Sequence, residues 1–204
     1  RGIIDIRLGI ESDYVPGWGE HYRKMWRGFD LDYVLGSVHF VGGAWSLFQR
    51  KLPLGYTTES AFREYLDNVI GAARSGAYDI LAHFDVIKTF GHVPAQITEF
   101  EPNVRAAVEA LAEAGMAMEL NTSGWRKSID EQYPSRWILE HAKRCGVPIV
   151  LGSDAHQPND VAGDFDRAVE LLHEVGFRDV ATFQNRERTL VPLSELVSAQ
   201  ANTP

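Results

Sequence analysis

Short apolar runs alternate with longer segments of helical periodicity along this chain of 204 residues. The clearest run, residues 148–152, follows a helical segment at about 135–145 that ends at Gly146. Most other runs are also separated by segments with apolar residues three or four positions apart and a glycine at the end. Because strands joined through helices pair in parallel, the alternation predicts an α/β fold with helices outside a parallel sheet.

The pattern predicts about six strands, at residues 3–10, 31–38, 78–82, 116–120, 148–152 and 180–183. Helices are expected at 20–27, 60–75, 102–114, 135–145, 160–175 and 194–199, the fifth capped by Asp160. The segment from Gly42 to Tyr56 has no clean period, and its length is typical of a loop over a functional site. Six strands are too few for an eight-stranded barrel, so we expect a distorted or incomplete barrel.

Composition restricts the class of function. With 45% hydrophobic and 24% charged residues and no internal linker, residues 1–204 have the composition of a single globular domain. A net charge of −8 without a basic cluster argues against a nucleic-acid surface and favours a small-molecule partner. One cysteine, Cys145, is expected to be a packing residue in a cytoplasmic setting. No apolar run reaches the roughly 20 residues of a membrane span.

Metal-ligating residue types follow several of the predicted strands. Glu11, His39 and His83 stand at three strand exits, and Asp154 and His156 follow the run 148–152. A lone histidine at a strand end is commonly a hydrogen-bonded structural residue, and an Asp-Ala-His triplet also arises by chance. Their recurrence at the same end of several β/α units carries the argument, because those ends meet at one edge of the fold. Imidazole and carboxylate together suit Zn, Mn or Fe.

Four segments, in this order, resemble the polymerase and histidinol phosphatase (PHP) family: 36–40 (GSVHF), 82–85 (AHFD), 121–127 (NTSGWRK) and 152–156 (GSDAH). Within that family the branch most similar is that of the histidinol-phosphate phosphatases. The resemblance implies a metal-dependent phosphomonoesterase on a distorted (β/α)7 barrel. It also implies two or three divalent metal ions at the carboxyl ends of the strands and a small phosphorylated substrate.

The resemblance assigns roles to the candidate ligands. Glu11 is similar to the carboxylate that bridges two metals, and His39 and His83 are similar to ligands from later strands. Asp154 and His156 are similar to the closing ligand pair.

Arg126 is similar to the residue that holds the substrate phosphate. Its guanidinium suits that role independently, because it forms bidentate hydrogen bonds with phosphate oxygens. For the acid that protonates the leaving group, the candidates are Asp154 and a nearby histidine.

One family feature is missing from the sequence. PHP proteins begin with a strand that ends in His-x-His, whereas the first histidine here is His21 and no His-x-His occurs. The chain therefore resembles a member that lacks its first strand and is truncated at the N-terminus. Three functions stay open: hydrolysis of histidinol phosphate, hydrolysis of another small phosphomonoester or nucleotide, and a non-catalytic metal-binding module.

Several polar residues receive a structural interpretation. Lys88 is expected to be a solvated surface residue, with a phosphate contact as the alternative. Asp13 and Asp85 are interpreted either as partners that orient the ligands or as strand-end turn residues. Three histidines outside the motifs are predicted to be solvated or capping residues: His92, His141 and His173.

Overall fold

The structure is a computed structural model that describes residues 5–200, with side chains described for residues 5–196. Its strands are β1 (Gly9–Asp13), β2 (Tyr33–Ser37), β3 (Phe40–Val41), β4 (Trp45–Ser46), β5 (Ile80–Leu81), β6 (Ala117–Asn121), β7 (Ile149–Gly152), β8 (Asp179–Gln184) and β9 (Glu187–Pro192). Its helices are α1 (Gly19–Trp26), α2 (Thr58–Ser75), α3 (Glu101–Glu113), α4 (Arg136–Cys145), α5 (Phe165–Val175) and α6 (Leu193–Gln200).

Five strands form a parallel sheet in the order β1-β2-β5-β6-β7, which confirms the predicted α/β class. Two antiparallel pairs, β3-β4 and β8-β9, complete the described strands. Because neighbouring strands of the sheet run in the same direction, their carboxyl ends lie along one edge. That edge receives Glu11, His39, His83 and Asp154 from four of the five strands.

The two faces of the sheet pack differently. Side chains such as Val34, Met118 and Ile149 join the main hydrophobic core with residues of α2, α3 and α4. The opposite face carries a smaller apolar cluster that includes Ile80 and Val150 and is extended by residues of β8. One face of the sheet is thus covered by helices. The other face is apolar in the part that lies away from the carboxyl ends of the strands.

Local signals place the helix ends. Helix α2 begins after a capping box in which the Thr57 hydroxyl accepts from the backbone N–H of Ser60, and the Ser60 hydroxyl accepts from that of Thr57. It ends at Gly76, whose φ of 64° is the left-handed conformation that glycine adopts without strain. Helix α5 departs from expectation, because it begins after Asp164, whereas Asp160 ends a short 3₁₀ turn.

The short strands β3 and β4 were not predicted, and two longer strands also differ from the sequence analysis. The first strand was predicted at residues 3–10, of which the first two lie outside the described residues, and the structure places β1 at Gly9–Asp13. Pairing with β2 sets this boundary, so Glu11 lies within the strand and not at its exit. Strand β9 was not predicted, because the Asn185-Arg186 turn before it lacks the glycine that usually marks a two-residue hairpin.

Within the part of the chain that the structure describes, no helix is long and apolar enough to cross a membrane.

Candidate metal centre

Glu11, His39 and His83 converge at the carboxyl edge of the sheet. One ligand atom from each lies within 4.8 Å of the others. The Nε2 atoms of His39 and His83 are 3.0 Å apart, and the Glu11 Oε1 atom lies 3.2 Å from the Nε2 of His83. Strands β1, β2 and β5 are neighbours in the sheet, and this adjacency brings together residues that are 28 and 44 positions apart in sequence.

A hydrogen bond fixes the tautomer and the orientation of His39. Its Nδ1 atom lies 2.9 Å from the Asp13 Oδ1 atom, and a carboxylate oxygen accepts a hydrogen bond there. The imidazole proton is therefore held on Nδ1, which leaves the Nε2 lone pair facing His83 and Glu11. A carboxylate behind a histidine is the arrangement that fixes the tautomer and ring orientation of metal-ligating histidines.

The Nε2 atom of His83 faces Glu11, at the position where a metal ion would bind. Burial acts to lower the pKa of this imidazole, but the hydrogen bond to Glu11 and the negative charges around it outweigh burial and raise the pKa. In turn, the hydrogen bond from His83 is the largest cause that lowers the pKa of Glu11, to about 2. Two imidazoles and a carboxylate around one point are a donor set that fits Zn, Mn or Fe.

Backbone strain accompanies two of the candidate residues. His83 and Asp154 have φ angles of 64° and 48°, in the left-handed region that non-glycine residues rarely occupy. Each such residue costs on the order of 1 kcal/mol and persists only where the surrounding structure holds it. Each residue lies two positions after the end of its strand, β5 or β7, so the strained positions lie at the same edge of the sheet.

Asp154 and His156 lie beside the cluster and are not members of the group of three. The negative charge of Asp154 acts on His83, which places the two strand ends in electrostatic contact. The side chain of His156 is 82% exposed, and its Nδ1 lies 2.9 Å from the Asp154 carbonyl oxygen. A proton on Nδ1 leaves the Nε2 atom of His156 free as a ligand. The ligand role of both residues stays a prediction.

The segment after β6 carries two positively charged side chains, Lys127 and Arg126, which make different contacts. The Nζ of Lys127 donates to the Ser123 hydroxyl at 2.9 Å and lies 3.6 Å from the Asp154 Oδ2 atom. Ser123 donates to the same carboxylate at 3.1 Å. The sequence analysis included Lys127 in the motif but gave it no role, and its contact with Asp154 appears only in the tertiary structure.

Arg126, the predicted phosphate ligand, holds the loop after β7 in this structure. Its Nη1 donates to the Asp164 carboxylate at 2.8 Å, and its Nη2 donates to the Ser153 carbonyl at 2.5 Å. A further contact of 3.7 Å joins its Nε to Asp160. The guanidinium therefore fastens residues 153–164 beside the cluster, and its phosphate role stays a prediction.

Glu119 is a buried carboxyl that sequence reasoning missed. Its side chain is 5% exposed, and Asn121 donates to it at 3.0 Å. Desolvation by burial is the main cause that raises its pKa to about 7, against the opposing effects of His83 and Asn121. The signal in the sequence was a glutamate inside an otherwise apolar strand, two residues before the Asn121 motif.

A second group of metal-ligating residue types lies between α3 and α4: Glu109, His141 and Cys145. The Nδ1 of His141 faces Arg105 at 3.0 Å and Arg144 at 3.3 Å. Because a guanidinium only donates hydrogen bonds, Nδ1 must accept, and the imidazole proton must sit on Nε2. That nitrogen faces Glu109 and Cys145. A metal ion on Nε2 would force the proton onto Nδ1, where it would meet two guanidinium donors, so the chemistry of this group favours a structural role.

The structure corrects three predictions about structural residues. His92 and His141 are buried, and the Nε2 of His92 lies 2.7 Å from the Gln49 carbonyl oxygen. Lys88 has a side chain only 9% exposed and contacts Asp85 and Glu131, each at 2.9 Å. One ionic partner three residues away and a second from a loop distant in sequence explain its burial. Of the two aspartates with open interpretations, Asp13 contacts His39, whereas Asp85 accepts from Ser135 and Lys88.

A large cleft lies away from the cluster. A cleft of about 680 Å³ lies between α5 and the β9-α6 junction, where Val169, Phe177 and Leu193 line it. None of the candidate ligands lines it.

Comparison with known proteins agrees with this geometry. A model of the PHP domain matches residues 1–123, which include Glu11, His39 and His83. The chain belongs to the PHP domain family. The match covers more than half of the chain, and it contains the three residues that the fold brings together.

Relatives extend the PHP assignment over most of the chain. A Deinococcus radiodurans protein named "Probable histidinol-phosphatase" is 41% identical over an alignment that covers 91% of this chain and 70% of that protein. The "Histidinol-phosphatase" of Bacillus subtilis is 28% identical, with 83% of this chain and 70% of that protein covered. The chain thus spans about 70% of the length of these two relatives.

A solved structure shares the fold. The crystal structure of histidinol phosphate phosphatase from Lactococcus lactis, complexed with zinc, L-histidinol and phosphate, superposes with a TM-score of 0.74 at 23% identity. The superposition covers 91% of this chain and 72% of that one. At this identity the likeness establishes the PHP-type fold and no more.

Proposed function

We propose that this chain is a metal-dependent phosphomonoesterase that hydrolyses L-histidinol phosphate to histidinol and phosphate in histidine biosynthesis. The observation that carries the proposal is the convergence of Glu11, His39 and His83, with Asp13 fixing the tautomer of His39. The names of the relatives support the substrate and the class of reaction, and the donor chemistry of the site supports a dependence on metal.

Two or three divalent metal ions, Zn, Mn or Fe, are the proposed cofactors. Glu11, His39 and His83 would hold one ion, and Asp154 and His156 would contribute further ligands. Metal ions at this site would supply Lewis-acid stabilisation of the charge that develops on the phosphoryl oxygens. Zinc in the Lactococcus lactis structure supports the cofactor class for that protein and motivates it here.

The chain's own residues complete the proposed site. Lys127 and Arg126 bring positive charge next to the carboxylates, and a guanidinium can bind phosphate oxygens in a bidentate way. Asp154 or a nearby histidine is proposed to give a proton to the leaving alcohol.

The proposal includes the setting of the protein. We propose a cytoplasmic enzyme with a small phosphorylated substrate, because the net charge of −8 does not favour nucleic acid as a partner. Residues 1–204 are proposed to act as a single domain.

Phosphate release tests the proposal. The chain, supplied with Zn²⁺, Mn²⁺ or Fe²⁺ in turn, is assayed with L-histidinol phosphate and with a panel of other small phosphomonoesters and nucleotides. The expected result is the highest kcat/KM for histidinol phosphate. An equal or higher kcat/KM for another ester would mean that histidinol phosphate is not the preferred substrate. Metal binding without hydrolysis of any ester would favour a non-catalytic metal-binding module.

A further inference from the structure

We propose that the exposed rings of Phe48 and Phe90 form a leaving-group subsite that binds a flat, unsaturated ring of the substrate, such as the imidazole of histidinol. The inference rests on the proposed function, because it concerns the part of the ester that remains after the phosphoryl group is removed. The two rings are called the aromatic rim below.

The aromatic rim begins at the metal cluster. The ring of Phe48 lies 5.2 Å from the ring of His39, at an angle of 43°. Phe90 meets Phe48 edge to face at 6.4 Å. Phe48 comes from the loop after β4 and Phe90 from the turn after β5, so the tertiary structure places them side by side.

Both rings stay open to solvent. Phe48 is 47% exposed and Phe90 is 40% exposed. Apolar rings left in water forgo the free energy of burial, and an exposed aromatic pair next to polar ligands is typical of a surface that a ligand covers.

The backbone on both sides of Phe48 is fixed. Before it, Leu47 is buried, and its N–H donates to the His39 carbonyl at 2.9 Å. After it, the Gln49 carbonyl lies 2.7 Å from the Nε2 of His92, a histidine that is only 5% exposed. Trp45 packs edge to face on that histidine, at 5.0 Å.

An exposed ring on a fixed backbone is preorganised for binding, since little conformational entropy is lost when a ligand covers it. Aromatic pairs prefer centroid separations of about 4.5–7 Å in offset or edge-to-face geometry. With the phosphate held at the cluster beside His39, the group beyond the ester oxygen is the part of the substrate that reaches the aromatic rim. A ring there would add a third member to the Phe48–Phe90 pair.

The test compares a ring-bearing ester with an aliphatic one. Wild type and Phe48→Leu are assayed with L-histidinol phosphate and with O-phosphoethanolamine, which carries an amine but no ring. Leucine keeps an apolar side chain and removes the aromatic face. The matched control is Phe29→Leu, which removes a 62% exposed ring at the start of the segment that leads into β2.

We expect Phe48→Leu to raise KM for histidinol phosphate by roughly 3- to 10-fold with kcat within 2-fold, from the usual strength of an aromatic pair. Its kcat/KM for O-phosphoethanolamine should be unchanged, and Phe29→Leu should match wild type on both esters. Equal losses on both esters would overturn the inference, because they would mean that Phe48 only orients His39. No change on either ester would overturn it as well.

A binding measurement separates this inference from the proposed function. If wild type hydrolyses neither ester, the proposed function fails, and calorimetric titration with L-histidinol and with ethanolamine tests the rim alone. Tighter binding of histidinol that is lost in Phe48→Leu would support the rim. Equal binding of histidinol by wild type and Phe48→Leu would overturn it.

Discussion

At the scale of single residues, the partner of one imidazole nitrogen decides what a histidine can do. Asp13 accepts a hydrogen bond from the Nδ1 of His39, which leaves Nε2 free as a ligand. Two arginines donate to the Nδ1 of His141, which puts the proton on Nε2. The two histidines stand in similar groups of ligand types, and only the first is prepared for a metal.

Asp13→Asn tests this reasoning. An amide can present its NH₂ group to Nδ1, and it lacks the charge that raises the basicity of the ligand. We therefore expect metal affinity to fall about 10- to 100-fold, measured by competition with a chromogenic chelator, with the fold retained by circular dichroism. Asp67→Asn removes the same charge from an exposed position of α2 and should bind metal like wild type. Equal affinity of Asp13→Asn and wild type would contradict the role of Asp13.

Glu119 makes a separate prediction about pH. Its pKa is raised from 4.5 to about 7, so between these values the folded chain keeps a proton that the unfolded chain has released. Stability from this group is therefore present at low pH and lost as pH rises toward 7, by on the order of 3 kcal/mol. Glu119→Gln stays neutral and should remove this loss.

Thermal unfolding of chelator-treated protein between pH 5 and pH 8 checks the effect. We expect Glu119→Gln to gain stability relative to wild type as pH rises, whereas Glu113→Gln, at an exposed site of α3, should follow wild type. A constant difference between Glu119→Gln and wild type across this range would show that the carboxyl does not titrate there.

At the scale of elements, the ends of β6 and β7 fit together because one residue has no side chain. A Cβ atom added to Gly152 would lie 1.7 Å from the Glu119 Oε1 atom. The glycine is therefore required by the buried carboxyl on the neighbouring strand. Since Asp154 follows Gly152 by two residues, any shift at this position is transmitted to the candidate ligand.

Gly152→Ala should destabilise the chain by about 1–3 kcal/mol, because the added methyl group would overlap the buried Glu119 side chain. Denaturant unfolding measures the change. In the double variant with Glu119→Ala the loss should be smaller than the sum of the single losses. Gly28→Ala is the control, because its nearest neighbour is an oxygen at 3.4 Å. Additive losses would mean that the two residues do not clash.

The loop after β7 gives the prediction for Arg126. Its guanidinium holds Ser153 and Asp164, so Arg126→Ala should release the loop and speed limited proteolysis within residues 153–164. If Arg126 also binds phosphate, kcat/KM should fall with metal content unchanged. Lys127→Met is the matched comparison, since Lys127 contacts the loop only near its start, at Asp154, and is not paired with Asp160 or Asp164. Unchanged kcat/KM in Arg126→Ala would show that Arg126 does not bind the phosphate and only holds the loop.

At the scale of the whole molecule, the candidate centre joins strands that the chain connects only through long segments. Glu11 belongs to β1, and His39 and His83 follow β2 and β5. A cation held by all three would cross-link these elements in the folded state alone, and such ligands stabilise folded proteins by mass action.

Metal addition should therefore raise Tm. At about 100 times its Kd, one ion contributes roughly 2.7 kcal/mol, or about 5–10 °C for a chain of this size. We expect Zn²⁺ or Mn²⁺ to produce this shift in wild type and in His141→Gln, and to produce none in Glu11→Gln. A shift that is lost in His141→Gln and kept in Glu11→Gln would place the metal between α3 and α4.

Much of the fold and part of the candidate site could be predicted from the sequence. Helical periodicity and terminal glycines such as Gly76 and Gly146 are local signals, and they placed the helices to within a few residues. The convergence of Glu11, His39 and His83 was also predictable, because parallel strands bring their carboxyl ends to one edge. Strand β9 could not be predicted from the sequence, because tertiary contacts hold the Asn185-Arg186 turn before it. Arg186 contacts Asp79 and the Asp32 carbonyl.

The sequence by itself determined the α/β class, the edge of the sheet that carries the site and the residue types able to bind metal there. Those properties depend on periodicity and on side-chain chemistry, which are local. Only the tertiary structure decided that His39 faces Asp13 and His141 faces arginines, that Glu119 is buried against Gly152, and that Phe48 stands open beside the cluster. These properties depend on neighbours far apart in sequence, and a neighbour's charge, volume or hydrogen-bonding group sets what each side chain can do.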